Sequence, residues 1–322
     1  LHPQFLVGPV LSRRLGRSLG VDLLQGQCTF LCPYCEVRVR HVEELKLFDF
    51  KPVPALLDQY RSFCRSHKPA DLDSVTFSGT GEPTLIANLG LILRQFHDIG
   101  PYPLTIITNG SLLWLSAVRD NLKDADLVIP SLDAATESAW RRVNRPHPDM
   151  SLTRYLDGTA EFCAGHPGKI WMEVLLVRGV NDHRADLRVL GEFLKTVRLD
   201  RIQVGTVDRP PARSRARPVP AARLARIGKF LHDLSGHPVD VISRYRDLRF
   251  ESSPASPADA SSDSLGGRIL QSVRLRPQTA SEIGRILSIP PARLRPTIRQ
   301  LETSGRISRV RFGRRVFLKS SV

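Results

Sequence analysis

Three cysteines, Cys28, Cys32 and Cys35, fall within eight residues in the spacing C-x3-C-x2-C. Thiolates this close in one loop select soft metals, chiefly iron–sulfur clusters or zinc. A structural zinc asks for four protein ligands, usually from two separated pairs. The remaining cysteines supply no second pair. Cys64 lies in the amphipathic segment VPALLDQYRSFCRSH and Cys163 ends another, positions where a free thiol is ordinary helix packing. A Cys3His zinc knot through His41 is permitted by the spacing, though nothing else requires it. Three cysteines on a four-iron cluster leave one iron without a protein ligand, open to a substrate or cofactor. Five cysteines are an odd number and poor material for a disulfide framework, so a reducing, cytoplasmic setting is expected.

A loop of this kind needs a scaffold. Short apolar runs, VDLL (21–24), SVTF (74–77), LTII (104–107), DLVI (126–129), IWMEVLLV (170–177) and RIQVGT (201–206), alternate with helix-like segments. The latter include residues 52–66, 85–98, 152–163, 185–196 and 220–234. Strand–helix alternation at this spacing implies parallel strands joined by right-handed crossovers, in a doubly wound sheet or an incomplete barrel. Both architectures gather ligands at the carboxyl ends of the strands. CTFLCPYC, SGTGEPT, TNGS and PSLDAAT follow the first four runs. Thiols, glycines and single carboxylates are thus expected at one rim.

Taken in order, these motifs resemble the radical S-adenosylmethionine (SAM) superfamily. CTFLCPYC is similar to its C-x3-C-x-aromatic-C, with Tyr34 as the aromatic, and SGTGEP to its glycine-rich loop. The resemblance implies a partial (β/α)6 barrel and a 4Fe-4S cluster held by Cys28, Cys32 and Cys35. It further implies SAM contacts at Gly79, Gly81 and Glu82, with Thr80 separating the two glycines. Asn109, Ser131 and Asp133 stand at strand ends suited to the ribose or carboxylate of SAM. The chemistry so implied is passage of an electron from the reduced cluster to the sulfonium. Methionine and a 5′-deoxyadenosyl radical result, and the radical abstracts hydrogen from a substrate.

Within the superfamily, GPVLSRRLGRSLGV, TFSGTGEPT, SLDAAT, VNRPHP and EVLLVRGVND look like the iron–sulfur oxidoreductases related to the radical SAM core of the wybutosine tRNA-synthesis enzyme. The likeness runs from about Gly8 to Pro211. A second cysteine cluster and a flavodoxin-like donor domain are absent from the sequence, so the wybutosine reaction is not carried over. The electron donor is therefore an unidentified partner.

Other residues carry two readings each. Glu173, a carboxylate on an apolar strand, needs a partner: SAM, substrate, or an arginine such as Arg209. Arg13, Arg14 and Arg17 suit a phosphate-bearing substrate or an ion-paired face equally. Asn144 and Arg145 in VNRPHP form a loop near the site or a plain turn. Asn181 and Asp182 are expected to cap a helix over 183–196.

The chain has 322 residues and a net charge of +15, with 41% hydrophobic and 25% charged residues. From Leu265 to Val322 there are 13 basic residues against only Glu282 and Glu302, so most of the excess sits in this tail. A basic unit of this kind attracts polyanions through counterion release. Residues 252–264, SSPASPADASSDS, read as a flexible linker between a core domain (1–251) and a basic domain (265–322). In the tail, Thr279 and Glu282 form a capping-box signature. Leu294, Ile298 and Leu301 keep helical spacing, and RISRVRFGRRVFLKSS alternates like a hairpin around Gly313.

Three helices and a hairpin resemble a winged helix-turn-helix with a recognition helix near 291–304. Arg293, Arg295 and Arg299 would line that helix. Arg309, Arg311, Arg314 and Arg315 would form the wing. DNA or RNA is the favoured partner, and an acidic leader peptide the competing one. A metal- or redox-sensing DNA-binding regulator is the alternative function, but such a sensor has no need of the SGTGEP loop. No stretch of ~18 uncharged apolar residues exists to span a membrane, and the N-terminal sequence lacks a secretory pattern.

Overall fold

The structure is a computed structural model in which residues 4–24, 26–212, 214–242, 265–287 and 289–321 are described. The chain opens with an antiparallel hairpin, β1 (Leu6–Ser12) and β2 (Gly16–Val21). A short parallel pair, β3 (Gln27–Cys28) and β4 (Arg40–His41), brackets the cysteine loop. Then come α1 (Val53–Ser66), β5 (Ser74–Phe77), α2 (Leu89–Ile99), β6 (Leu104–Thr108), α3 (Ser116–Asn121) and β7 (Leu127–Pro130). They are followed by α4 (Glu137–Val143), α5 (Leu152–Gly165), β8 (Lys169–Leu176), α6 (Arg184–Thr196), β9 (Arg201–Thr206), α7 (Ala221–Ser235) and β10 (Val239–Val241).

The large sheet has the order β1-β2-β5-β6-β7-β8-β9-β10, and every neighbouring pair from β2 onward is parallel. All four residues of β5 and of β7 are buried, as befits short strands covered on both faces. Helix α2 buries Leu89, Ile92, Leu93 and Phe96, an i, i+3, i+4, i+7 stripe that faces the sheet.

Strand order that never reverses sends every right-handed crossover the same way, so the helices share one face and the sheet curls. The hairpin tip reports the curl directly. Arg13, between β1 and β2, pairs with Asp208, just past β9, at 2.5 Å, although β2 and β9 lie far apart in the sheet. Leu15 of the same tip packs with Leu127 and Ile129 of β7 and with Ile107 and Trp171. The tip therefore fills the concave side of the sheet.

After residue 264 come α8 (Leu265–Leu275), α9 (Ala280–Leu287), α10 (Pro291–Thr303), β11 (Ile307–Phe312) and β12 (Arg315–Ser320). They have an apolar core of their own, centred on Ile269, Ile283, Leu294, Ile298 and Leu318. Thr279 and Glu282 close the expected capping box: the Thr279 amide donates to Glu282 (2.8 Å), and the Glu282 amide to Thr279 (3.2 Å). β11 and β12 pair antiparallel across Gly313. The expected linker, residues 252–264, lies outside the described residues. Among the described residues no helix is long and apolar enough to cross a membrane.

Three expectations are corrected. The strand expected at 21–24 ends at Val21 and does not begin there, because Gly16–Val21 (β2) pairs with β1 and β5 while residues 22–24 leave the sheet. The expected helix at 85–98 starts at Leu89, since Pro83–Leu85 winds as a separate 3₁₀ turn. Asn181 and Asp182 do not cap α6, whose preceding residue is His183 and which has no side-chain cap. Asn181 instead accepts from the Val177 amide and donates to the carbonyls of Asp133 and Leu175.

Candidate active site

The cysteine loop is pinned to the core by what lies between its thiols. Phe30 is buried and meets Trp140 of α4 and Tyr155 of α5 edge-on, with centroids 6.1 and 5.8 Å away. The hydroxyl of Thr29 bonds that of Ser111 at 2.6 Å. The Leu31 amide donates to the carbonyls of Asn144 and Arg145 (both 3.1 Å), and the His147 amide donates back to Thr29 (2.9 Å). The VNRPHP segment is thus the backbone partner of the cysteine loop. Sequence reasoning misses both Phe30 and Thr29; an aromatic between two ligands reads as spacing until its packing is seen.

Two amides address the sulfurs. Asn109, at the end of β6, donates to Cys28 Sγ at 3.4 Å, and Asn144 donates to Cys32 Sγ at 3.6 Å. Asn144 also donates to Asp133 Oδ2 at 2.7 Å, where Tyr34 Oη donates at 2.5 Å. Asp133 Oδ1 accepts from the Leu175 amide at 2.8 Å. Burial raises the Asp133 carboxyl to about 6, against the lowering effect of these hydrogen bonds. As placed, Asp133 is a clamp that joins the cysteine loop to the ends of β7 and β8, and its oxygens are already engaged.

The glycine-rich loop presses on the chain entering the cysteines. A Cβ on Gly81 would lie 2.5 Å from the Gln27 carbonyl oxygen and 2.7 Å from Leu24 Cβ; one on Gly79, whose φ is +139°, would lie 2.5 Å from the Asp22 carboxyl carbon. Thr80 donates from its amide to Asp22 (3.1 Å) and from its hydroxyl to Asp22 and the Leu24 carbonyl. Glu82 is buried, and its carboxylate accepts from Thr84, from the Thr108 hydroxyl (2.6 Å) and from the Asn109 amide (2.7 Å). Burial raises its pKa despite those donors. Here too the carboxylate ties strand ends together.

Ser131, just past the end of β7, stands beside Glu173, midway along β8, joined to it by a backbone bridge. The Ser131 carbonyl accepts from Tyr155 at 2.5 Å. Glu173 pairs with Arg14 at 2.8 Å, so the arginine anticipated at Arg209 is replaced by one from the hairpin tip. Arg209 lies elsewhere, against Glu282 and Glu36. Arg13, Arg14 and Arg17 are all ion-paired, the last with Asp73. His41 lies beside Cys28 in the β3–β4 pair, but its Nε2 lies 3.1 Å from the Arg145 carbonyl oxygen.

The thiols fit an iron–sulfur cluster in chemistry. Burial, then the charges of Glu82 and Cys35, push the Cys28 thiol up to about 12. Cys32 lies well above the usual thiol range through burial and the charges of Asp133 and the other two cysteines. Three thiolates in such surroundings need positive charge among them, and coordinated iron supplies it. Amide N–H groups aimed at the sulfurs are the kind of interaction that tunes such clusters. Among the described residues no three His, Cys, Asp or Glu side chains converge on a single metal ion. A four-iron cluster, being wider than one ion, asks for a wider triangle.

In the C-terminal unit, Arg293, Arg295 and Arg299 are exposed on α10, and Arg311 and Arg314 are exposed on the hairpin. Arg309 pairs with Glu302, and Arg315 with Glu282, so the expected wing keeps two of its four cations for itself.

The arrangement defines a class: an α/β chain that gathers soft ligands and directed hydrogen-bond donors at one rim of a parallel sheet. The profile of the Radical SAM superfamily matches residues 23–189. The chain belongs to that superfamily and is an enzyme.

It is 30% identical over 244 residues to the protein named GTPase Obg of Brachyspira hyodysenteriae, covering 76% of this chain and 36% of that one. It is 34% identical over 216 residues to a UPF0026 protein of Helicobacter pylori, covering 65% and 68% of the two chains. SuiB of Streptococcus suis bound to S-adenosylmethionine superposes with a TM-score of 0.52 at 16% identity, over 70% of this chain and 50% of that one, a likeness of fold. The chain thus spans about a third of the Brachyspira relative and half of SuiB.

Proposed function

We propose that this chain cleaves SAM reductively at a 4Fe-4S cluster held by Cys28, Cys32 and Cys35, as an oxidoreductase of the branch related to the radical SAM core of the wybutosine enzyme. When bound, the cluster and SAM supply an electron and a 5′-deoxyadenosyl radical for hydrogen abstraction. The chain's own residues hold and orient. Asn109 and Asn144 donate to the cysteine sulfurs, which favours the thiolate form. Asp133 fixes Tyr34, and with it the loop between Cys32 and Cys35. The backbone of residues 79–82 meets the amino group of SAM. Ser131, just past β7, takes its carboxylate or ribose, and Glu173, beside it on β8, accepts from the ribose hydroxyls. The observation that carries the reading is the pair of hydrogen bonds from Asn109 and Asn144 to the sulfurs of a three-cysteine loop at the carboxyl rim of the sheet.

The substrate is a nucleic acid, brought by residues 265–322 acting as a winged helix with α10 as the recognition helix. Its support is the row of exposed arginines on α10 and the near-absence of acids around it. The reductant comes from a separate donor. In the test, the protein is reconstituted without oxygen, reduced with SAM present and supplied with cell extract. Release of 5′-deoxyadenosine supports the reading, and none released from protein with confirmed iron and sulfide overturns it.

A further inference from the structure

We infer that a groove that borders the cysteine loop at Pro33 binds the phosphate groups of the substrate. The groove has a volume of about 850 Å³ and is lined by Pro33, by Arg141, Arg142 and Arg145, by residues 177–180, and by residues 214–217. That volume falls in the range of small-ligand sites. Six of its lining residues are arginines, Arg141, Arg142, Arg145, Arg178, Arg215 and Arg217, and no acid lines it. Arg141 is neutralised by Glu137 and Arg142 leans on Asp186. Among the described residues, Arg145, Arg178, Arg215 and Arg217 have no carboxylate partner.

Four unpaired guanidiniums around one groove repel each other, and a ligand with more than one phosphate is the chemistry that relieves them. The groove is also part of the rim. Its walls follow β7, β8 and β9, and the Ser214 hydroxyl donates to the Pro33 carbonyl while the Ala212 amide donates to the Cys35 carbonyl at 2.8 Å. A second, independent sign is Arg145, a non-glycine residue at φ +46° whose carbonyl accepts from Leu31. Left-handed backbone at a bulky residue is held only where the surroundings impose it, and such positions gather at functional sites. The inference rests on the reading above only in taking the loop of Pro33 as the reaction centre; phosphate binding itself does not depend on it.

The test uses the full chain and two probes, inorganic tripolyphosphate and a labelled single-stranded RNA of mixed sequence, measured at several salt concentrations without SAM. Arg178→Ala, Arg215→Ala and Arg217→Ala are combined. A control removes equal charge at the exposed Arg65, Arg188 and Arg226. Thermal melting checks folding, and Arg217→Glu alone replaces the triple variant if that one melts early.

The groove variant is expected to lose affinity roughly tenfold or more, as for hydrogen bonds to charged groups, with the control unaffected. If tripolyphosphate shows this loss, the ligand is a free nucleotide. If only RNA binds, and its salt slope falls by about 0.7 per arginine, the ligand is a nucleic-acid backbone. Neither probe binding the wild type, or equal losses in groove and control variants, overturns the inference. Phosphate binding without 5′-deoxyadenosine release would leave the groove standing and defeat the proposed chemistry.

Discussion

Arg209 and Glu282 form a buried ion pair 3.0 Å apart that joins the loop after β9 to the start of α9. Both side chains are almost fully enclosed, at 2% and 5% exposure. The same Arg209 nitrogen also donates to the Pro277 carbonyl at 2.6 Å, and a second one donates to Glu282 at 3.2 Å. Arg315 donates to the same carboxylate at 2.7 Å, and Glu36, next to Cys35, lies 3.7 Å from Arg209. The C-terminal unit therefore docks beside the cysteine loop, with the Glu282 carboxylate shared between Arg209 and Arg315, the Pro277 carbonyl bonded to Arg209 and the Phe317 ring under it. Removing one member of a buried pair strands the other charge, at about 3–5 kcal/mol. Glu282→Ala should thus free residues 265–321 to early proteolysis while the core stays resistant. Identical digestion of variant and wild type would contradict the docking role.

The same pair fixes a pH window. Burial alone would raise Glu282, but Arg209, Arg315 and the Thr279 amide outweigh it and hold the carboxyl at about 2. A carboxylate depressed in the fold stabilises above its unfolded value, near 4.3, and that stability is lost as pH falls through the folded value. The docked state should hold at pH 5 and above and weaken progressively between roughly pH 4.3 and 2. Protease sensitivity of the tail against pH reads this. A change centred near neutrality would place the control elsewhere.

Asn109→Ala removes the N–H donated to Cys28. Donors to cluster sulfurs favour the reduced, more negative state, so the reduction potential should fall, by up to roughly 60 mV if ~1.4 kcal/mol is lost for one electron. A redox titration followed by electron paramagnetic resonance measures it. An unchanged potential at full iron content would remove Asn109 from the sulfur.

Gly81→Ala places a methyl against the Gln27 carbonyl and Leu24. Because a backbone atom must move, the change should cost ~1–3 kcal/mol and displace the entry to Cys28. Iron bound per chain after reconstitution should drop well below wild type. Wild-type iron and wild-type melting together would show that the loop tolerates the shift.

Arg293→Ala, Arg295→Ala and Arg299→Ala together should weaken duplex DNA or RNA binding. On B-form DNA the salt slope should fall by about 0.9 for each phosphate that one of these arginines neutralises. Affinity independent of these three would assign the tail to another ligand, an acidic peptide first.

Legibility in the sequence followed burial. RIQVGT and SVTF stand where their composition puts them, because short β-rich runs between turn residues have few alternatives. The β1–β2 hairpin is hidden because its tip, Arg13 and Arg14, is charged yet folds inward to meet Asp208 and Glu173. No periodicity shows that an arginine will find its acid across a curled sheet. The motifs located the rim, but not the internal engagement of Glu82 and Asp133: which oxygens are already satisfied is a tertiary property. Likewise Asn181 looks like a cap in sequence and serves the backbone of Asp133 in the fold.

On the proposed function, the three thiols hold a cluster with one iron free for SAM. Electron paramagnetic resonance of the reduced, reconstituted protein with and without SAM tests it most directly. A 4Fe-4S signal should appear, shift when SAM is added and vanish in Cys28→Ala, Cys32→Ala and Cys35→Ala. A spectrum indifferent to SAM, or zinc as the metal in protein prepared without oxygen, would contradict it.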